Sequence, residues 1–262
     1  PMMTVLEAVK LLYGKSTGLV FTCEFTHATP ADCSSHSYNR NDYKSISSQM
    51  VHNNLDVVIG GGVGILEKEQ QKYLKDNGYQ VFLNDHEGLR NFEGKKIWSL
   101  FGDRDLPFDL DRNPEKYPSL EEMTTKAINT LSQNKKGFFL MVEGSKVDWA
   151  AHDNDPVAMI TEFLAFDKAC KAALDFARKD GNTAVVILPD HGNSGISIGT
   201  SRLPGYDKLT KQQLFGNVLK FEKTSDGIAQ LMNQADHSEA GDIYKKYTHL
   251  ELSELQLAKI DS

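Results

Sequence analysis

The fold of this chain is constrained most by short, largely apolar runs that alternate with segments of helical periodicity. The most apolar runs are residues 19–23, 138–142 and 184–188, and shorter extended runs cover residues 56–59, 80–83 and 97–101. Strands that are apolar on both faces and separated by helices are typical of a parallel sheet covered on both sides. The pattern therefore predicts an α/β protein with a three-layer, doubly wound sheet in which residues 184–188 form a buried strand.

Signals for helix starts lie between these runs. Thr4 with Glu7, and Ser119 with Glu122, have the spacing of a capping box. Apolar periodicity predicts further helices at residues 43–51, 67–74 and 156–178, and Thr29-Pro30 predicts a short one.

The pattern changes near residue 200. Residues 201–262 contain no strong strand, and their weak helical stretches cover residues 209–219, 227–233 and 252–260. We therefore predict two parts: a partial α/β core over residues 1–200, and a C-terminal helical insertion, or the start of a cap region, over residues 201–262.

Composition excludes several classes of protein. The net charge of −7 and the lack of a Lys/Arg cluster argue against a nucleic-acid partner. No apolar run approaches the ~18 residues of a membrane span. The cysteines Cys23, Cys33 and Cys170 have no C-x-x-C spacing, so we interpret them as small buried apolar residues.

Residue types that can bind metal ions follow three of the predicted strands. His27 follows the strand at 19–23, Glu143 follows the one at 138–142, and Asp190-His191 follows the one at 184–188. Ligands bind outside the carboxyl ends of strands in doubly wound sheets, so these side chains are candidates for one site.

Asp148 and His152 add a second kind of signal. They are four residues apart, which on a helix places them on one face, and a carboxylate with an imidazole is a typical zinc pair. Glu143 and Thr29 offer the oxygen ligands that Mg²⁺ takes. Taken singly, these patterns also fit a surface turn or a solvated helix pair, but their occurrence after three strands favours a metal site.

At this point the motifs become recognisable. Residues 142–152 (VEGSKVDWAAH) resemble the V-E-G-x-x-[IV]-D-x-x-x-H signature of alkaline phosphatases, and residues 190–191 (DH) are similar to that family's metal motif. Residues 15–20 (KSTGLV), 26–31 (THATPA) and 56–62 (DVVIGGG) resemble further segments of the family, in the same order. The resemblance implies the alkaline-phosphatase-like form of the predicted fold and a phosphate monoester hydrolase.

The resemblance also implies two zinc ions. Asp148 and His152 would bind the first zinc ion, and Asp190 and His191 would bind the second. In the full-length enzyme a serine would be phosphorylated and then released by hydrolysis.

One magnesium ion is implied as well. Glu143 and Thr29 would bind it, with His27 beside them. Arg40 follows His27 by thirteen residues and falls where the family places the arginine that clamps the phosphate.

Two features of the family are not found in these 262 residues: the nucleophilic serine of a D-S-A motif, and a further zinc histidine in an H-T-[GA] setting. The one Asp-Ser pair is Asp261-Ser262. We therefore expect an internal piece of an alkaline phosphatase that is inactive by itself. The alternatives are a metal- and phosphate-binding fragment without catalysis, a related metallophosphoesterase or sulfatase-like hydrolase, and a structural domain.

The resemblance implies a periplasmic or secreted protein, although the chain contains no signal peptide. It implies a phosphate monoester as substrate and allows a homodimer.

Overall fold

The computed structural model describes residues 2–197, 202 and 205–260, with the side chains of residues 258 and 260 left aside. The predicted Asp261-Ser262 pair lies outside the described residues. The chain folds into two compact units. Unit 1 comprises residues 1–107, 112–145 and 164–188, and unit 2 comprises residues 108–111, 146–163 and 189–262. The predicted boundary at residue 200 stays a prediction.

Unit 1 contains one parallel five-stranded sheet with the order β3-β4-β2-β1-β5. Its strands are β1 (Ser16–Glu24), β2 (Val57–Gly61), β3 (Gln80–Leu83), β4 (Ile97–Phe101) and β5 (Phe138–Glu143). The parallel sheet confirms the predicted doubly wound α/β class.

Helices connect the strands and continue after them. In chain order they are α1 (Val5–Tyr13), α2 (Ala28–Asp32), α3 (Tyr43–His52), α4 (Lys68–Asp76), α5 (His86–Asn91), α6 (Leu120–Leu131), α7 (Lys146–His152), α8 (Pro156–Asp180), α9 (Lys211–Phe215), α10 (Ser225–Gln234), α11 (Ala240–Thr248) and α12 (Glu254–Ile260). The capping box predicted for the first helix is present, since Thr4 and Glu7 each accept a hydrogen bond from the other's backbone N–H. The helices α5 and α11 were not predicted; Gly88 lies inside α5, and glycine weakens a helical signal.

Strand β1 lies inside the sheet and is buried at every residue from Thr17 to Glu24. The helix α6 packs against β1 and β2, and its inward Met123, Ala127 and Leu131 join the apolar core of unit 1. Burial on both faces explains why the sequence of β1 lacks the alternation of a half-exposed strand.

The prediction of a buried strand at residues 184–188 is wrong. These residues have no strand pairing, and the exposed fractions of Val186, Ile187 and Leu188 are 78%, 50% and 66%. An apolar run suits a strand only where a neighbouring strand completes its backbone hydrogen bonds, and among the described residues the sheet ends at β5.

Two aspartates organise unit 2. Asp155 Oδ1 accepts hydrogen bonds from the N–H groups of Val157 and Ala158 at the start of α8, both at 2.9 Å. Its other oxygen accepts from the N–H and hydroxyl of Ser225, at 2.7 and 2.6 Å. Asp111 accepts from the N–H and hydroxyl of Thr224. The start of α10 is thus bound to two carboxylates, and the described residues from 205 onward form helices without a strand.

No helix among the described residues has both the length and the apolar character needed to cross a membrane.

A substitution of Gly60 tests the packing between β1 and β2. A Cβ atom at Gly60 would lie 2.1 Å from ring atoms of Phe21, whose side chain is fully buried. We expect Gly60→Ala to lower the free energy of unfolding by roughly 1–3 kcal/mol, the cost of overpacking. Gly241→Ala is the control, because its nearest neighbour, at 3.2 Å, is a terminal methyl of Leu257. Equal urea midpoints for both variants, measured by circular dichroism, would contradict this packing.

Glu162 makes the stability of unit 2 depend on pH. Its carboxyl is buried, and burial raises its pKa from 4.5 to about 7, although the N–H of Asp109 donates to it. The folded state therefore holds this proton more tightly than the unfolded state does. The resulting stabilisation is lost as the pH rises from about 4.5 through about 7 and amounts to about 3 kcal/mol.

Glu162→Gln should remove this pH dependence. The free energy of unfolding of the variant, relative to that of the natural chain, should rise between pH 5 and pH 8. A difference that stays constant over this range, measured by urea unfolding, would show that Glu162 does not titrate as argued.

Candidate metal centres

The helix α7 carries the first pair of predicted ligands. Asp148 and His152 lie on one face of it, as their spacing predicts, and His152 Nε2 is 3.6 Å from Asp148 Oδ2. The side chain of Asp148 is 38% exposed and that of His152 is 67% exposed, so both are accessible to an ion from solvent.

The second predicted pair lies in a segment without helix or strand. His191 Nε2 is 3.8 Å from Asp148 Oδ1 and 3.5 Å from Asp190 Oδ2. Asp190 also accepts a hydrogen bond from the N–H of His191 at 3.0 Å. The Asp148 carboxylate therefore lies between two imidazoles, and the four side chains form one group. We call Asp148, His152, Asp190 and His191 the acid–imidazole group.

Asn193 orients the central carboxylate of this group. Its Nδ2 donates to Asp148 Oδ1 at 2.7 Å and to the Asp148 carbonyl oxygen at 3.2 Å. The following Gly195 N–H donates to Asn154 Oδ1 at 2.7 Å, which fixes the segment further. Asn193 was not predicted as a site residue. Its position two residues after His191 is the one feature of the sequence that indicates it.

The donor set of the acid–imidazole group fits zinc. Zinc takes imidazole nitrogen and carboxylate oxygen at about 2.0–2.2 Å, which separates neighbouring ligand atoms of a tetrahedron by about 3.4 Å. The observed separations of 3.5 to 3.8 Å exceed this value only slightly. The group has the chemistry and approximately the spacing of a zinc site.

A second cluster lies in unit 1, at the carboxyl ends of β1 and β5. Cys23, His27 and Glu143 each offer one ligand atom, and these atoms all lie within 4.8 Å of one another. Cys23 Sγ donates to Glu143 Oε2 at 3.4 Å. Cys23 is fully buried, whereas His27 and Glu143 are half-buried.

Ser145 holds this second cluster together. Its hydroxyl donates to Glu143 Oε2 at 2.8 Å and accepts from the N–H groups of Thr22 and Cys23, both at 3.3 Å. Burial raises the pKa of the Cys23 thiol well above its ordinary value, and the Glu143 carboxylate raises that pKa further. The prediction that the cysteines are buried is confirmed for Cys23, whereas Cys33 and Cys170 are half-buried. The contact of the Cys23 thiol with Glu143, and the part of Ser145 in it, were not predicted from the sequence.

The remaining two predicted residues lie elsewhere in unit 1. Thr29 is half-buried in the short helix α2, whose preceding residue is His27. Arg40 is exposed in the segment between α2 and α3. The roles of both residues stay predictions.

These features define a doubly wound α/β protein with two groups of candidate metal ligands, one at the carboxyl ends of β1 and β5 and one on α7 and residues 190–191. The family model described as alkaline phosphatase matches residues 1–250, and the chain belongs to the alkaline phosphatase family.

Relatives and solved structures agree with this assignment. The chain is 38% identical to alkaline phosphatase 3 of Bacillus subtilis, over 99% of this chain and 55% of the relative. It is 34% identical to the alkaline phosphatase of Schizosaccharomyces pombe, over 84% of this chain and 46% of the relative. The Thermus thermophilus enzyme superposes with a TM-score of 0.87 at 25% identity, over 100% of this chain and 56% of that one. The chain thus spans about half the length of the curated relatives it matches.

A second solved neighbour contains a bound metal according to its description. It is a histidine-to-glutamate variant of TAB5 alkaline phosphatase with Mg bound in its M3 site, 33% identical over 68% of this chain and 52% of that one, with a TM-score of 0.58.

Removal of the Asn193 side chain tests the orientation of Asp148. We expect Asn193→Ala to weaken zinc binding by about 10- to 100-fold, because an oriented ligand loses the partner that fixes it. Asn182→Ala is the matched control, since Asn182 is an exposed asparagine whose backbone N–H and side chain both donate to Asp180. Calorimetric zinc titrations that give the same affinity for both variants would contradict this role.

Proposed function

We propose that the protein to which this chain belongs hydrolyses phosphate monoesters and uses zinc. The observation that carries the proposal is the Asp148 carboxylate placed between His152 and His191. Membership of the alkaline phosphatase family supports it.

The acid–imidazole group would hold the zinc ions, two of them by family resemblance. Zinc at such a site stabilises the attacking and leaving oxygens of a phosphoryl transfer. Asn193 would keep Asp148 turned toward the ligand site, and the exposure of His152 and Asp190 leaves room for a phosphate group.

Arg40 would bind the non-bridging oxygens of the phosphate. A guanidinium donates two parallel hydrogen bonds to such oxygens, and its charge offsets the charge of the ester. The side chain of Arg40 is exposed, so it is accessible to a phosphate in solvent.

The proposed reaction proceeds through a phosphoserine, as the family resemblance implies. The serine hydroxyl attacks phosphorus and the alcohol leaves; water then hydrolyses the phosphoserine to phosphate. No D-S-A motif occurs in these 262 residues, so that step belongs to the complete protein.

A magnesium ion held by Glu143 and Thr29 was also expected. Magnesium takes oxygen ligands, whereas the side chains gathered at Glu143 include a thiol and an imidazole. This donor set does not fit magnesium, and the proposed reaction does not depend on that ion.

By family resemblance we further propose a periplasmic or secreted location, and the resemblance allows a homodimer.

Hydrolysis by the protein of the complete reading frame tests the proposed function. We expect p-nitrophenyl phosphate to be turned over, with the corresponding diester and sulfate ester turned over far more slowly. His191→Ala should lower the rate at least about 100-fold, because removal of a ligand exceeds the ~10- to 100-fold effect of losing a partner of a ligand. His249→Ala is the matched control, since His249 is an exposed histidine that contacts Glu222. A preference for the diester or the sulfate ester would overturn the proposal.

The 262-residue chain serves as the negative reference in the same assay. We expect no turnover by it, because it lacks the D-S-A serine. Turnover that His191→Ala abolishes would contradict this expectation.

A further inference from the structure

The cluster of Cys23, His27 and Glu143 has a composition that the expected magnesium site does not explain. Its three ligand atoms are a sulfur, an imidazole nitrogen and a carboxylate oxygen, all within 4.8 Å of one another. Magnesium selects oxygen ligands in octahedral geometry, whereas zinc accepts sulfur, nitrogen and oxygen in tetrahedral geometry. The donor atoms therefore match zinc better than magnesium.

Sheet register brings these residues together. In the parallel pairing of β1 with β5, Phe21 lies opposite Glu143, which is the last pair of that ladder. Cys23 lies two residues beyond Phe21, where the register of β1 against β2 shifts, and its Sγ is 3.4 Å from Glu143 Oε2. The chain turns after β1 and places His27 before α2.

The sulfur–oxygen distance of the cluster is close to that of a tetrahedral zinc site. Zinc binds sulfur at about 2.3 Å and carboxylate oxygen at about 2.0–2.2 Å, so the two ligand atoms of a tetrahedral site lie about 3.5 Å apart. Cys23 Sγ and Glu143 Oε2 are 3.4 Å apart. Two oxygens in an octahedral magnesium site would be about 3.0 Å apart, from ligand distances of 2.0–2.1 Å.

Ser145, which is not a candidate ligand, holds the cluster in position. Ser145 donates to Glu143 Oε2 at 2.8 Å and accepts from the N–H of Cys23, so one hydroxyl holds both ligand residues. Partners of this kind orient ligands in metal sites. Full burial of Cys23 shields its sulfur from solvent.

We propose that Cys23, His27 and Glu143 form a zinc-selective site in which Cys23 is a thiolate ligand. Binding releases the thiol proton to solvent, and the sulfur–metal bond replaces the hydrogen bond from Cys23 to Glu143. Zinc binding at this site depends on residues of this chain alone. The inference rests on the proposed function only for the part that the bound zinc would have in phosphate ester hydrolysis.

Cobalt absorbance tests the proposal directly. The full chain with Cys33→Ser and Cys170→Ser keeps Cys23 as its single thiol. Titration with Co²⁺ should produce the near-ultraviolet charge-transfer absorption of a cobalt–thiolate bond, which no site of nitrogen and oxygen ligands gives. Zinc should abolish this absorption once it exceeds the amount needed to fill this site and the acid–imidazole group, and excess magnesium should leave it.

Cys23→Ser in the same background is the matched variant. It should eliminate the absorption and weaken zinc binding at this site by at least about 10-fold. Circular dichroism establishes that the variant is folded. The parent chain provides an independent test, because a folded parent that binds cobalt without this absorption already overturns the proposal.

Two other results would also overturn it. They are absorption that persists in Cys23→Ser, and displacement of cobalt by magnesium as readily as by zinc. Either would leave Cys23 as a hydrogen-bond donor to Glu143. The absorption does not depend on hydrolysis, so its absence would refute the thiolate site without affecting the proposed phosphatase function. A lack of turnover by the complete protein would refute the phosphatase function without affecting the thiolate site.

Discussion

The parallel pairing of β1 with β5 is the interaction on which the core of unit 1 and its candidate site depend. β1 is buried at every residue from Thr17 to Glu24, and its ladder with β5 ends at the pair Phe21 and Glu143. Beyond that pair, the Ser145 hydroxyl accepts hydrogen bonds from the N–H groups of Thr22 and Cys23. The same hydroxyl donates to Glu143 Oε2, so one side chain binds two backbone donors and holds Glu143 in place.

Carboxylates have the corresponding role in unit 2. Asp155 and Asp111 bind the backbone at the start of α10, and Asp148 lies between two imidazoles with Asn193 as its donor. Each of these carboxylates has hydrogen-bond donors or imidazoles beside it, and the buried Glu162, whose pKa is raised, accepts from the N–H of Asp109. The acidic residues of unit 2 thus support local structure and supply candidate metal ligands.

The two ligand groups differ in chemistry. The acid–imidazole group is exposed and consists of oxygen and nitrogen donors, which suits an ion that must exchange ligands with a substrate. The cluster at Glu143 is more buried and includes sulfur, which suits an ion that is held permanently. The chain shares its family with proteins named alkaline phosphatase. Within this chain, Cys23 is the residue whose sulfur would favour zinc over magnesium at the second cluster.

The α/β class, most helices and strands, and the proximity of Asp148 to His152 follow from the sequence alone, because apolar periodicity and i, i+4 spacing are local properties. The exposure of residues 186–188, the hydrogen bond from Asn193 to Asp148 and the contact of Cys23 with Glu143 are visible only in the folded chain. Strand formation needs a neighbouring strand, and Cys23 and Glu143 meet only through the register of β1 against β5. Contacts between residues 120 positions apart depend on that register, which no local pattern in the sequence specifies.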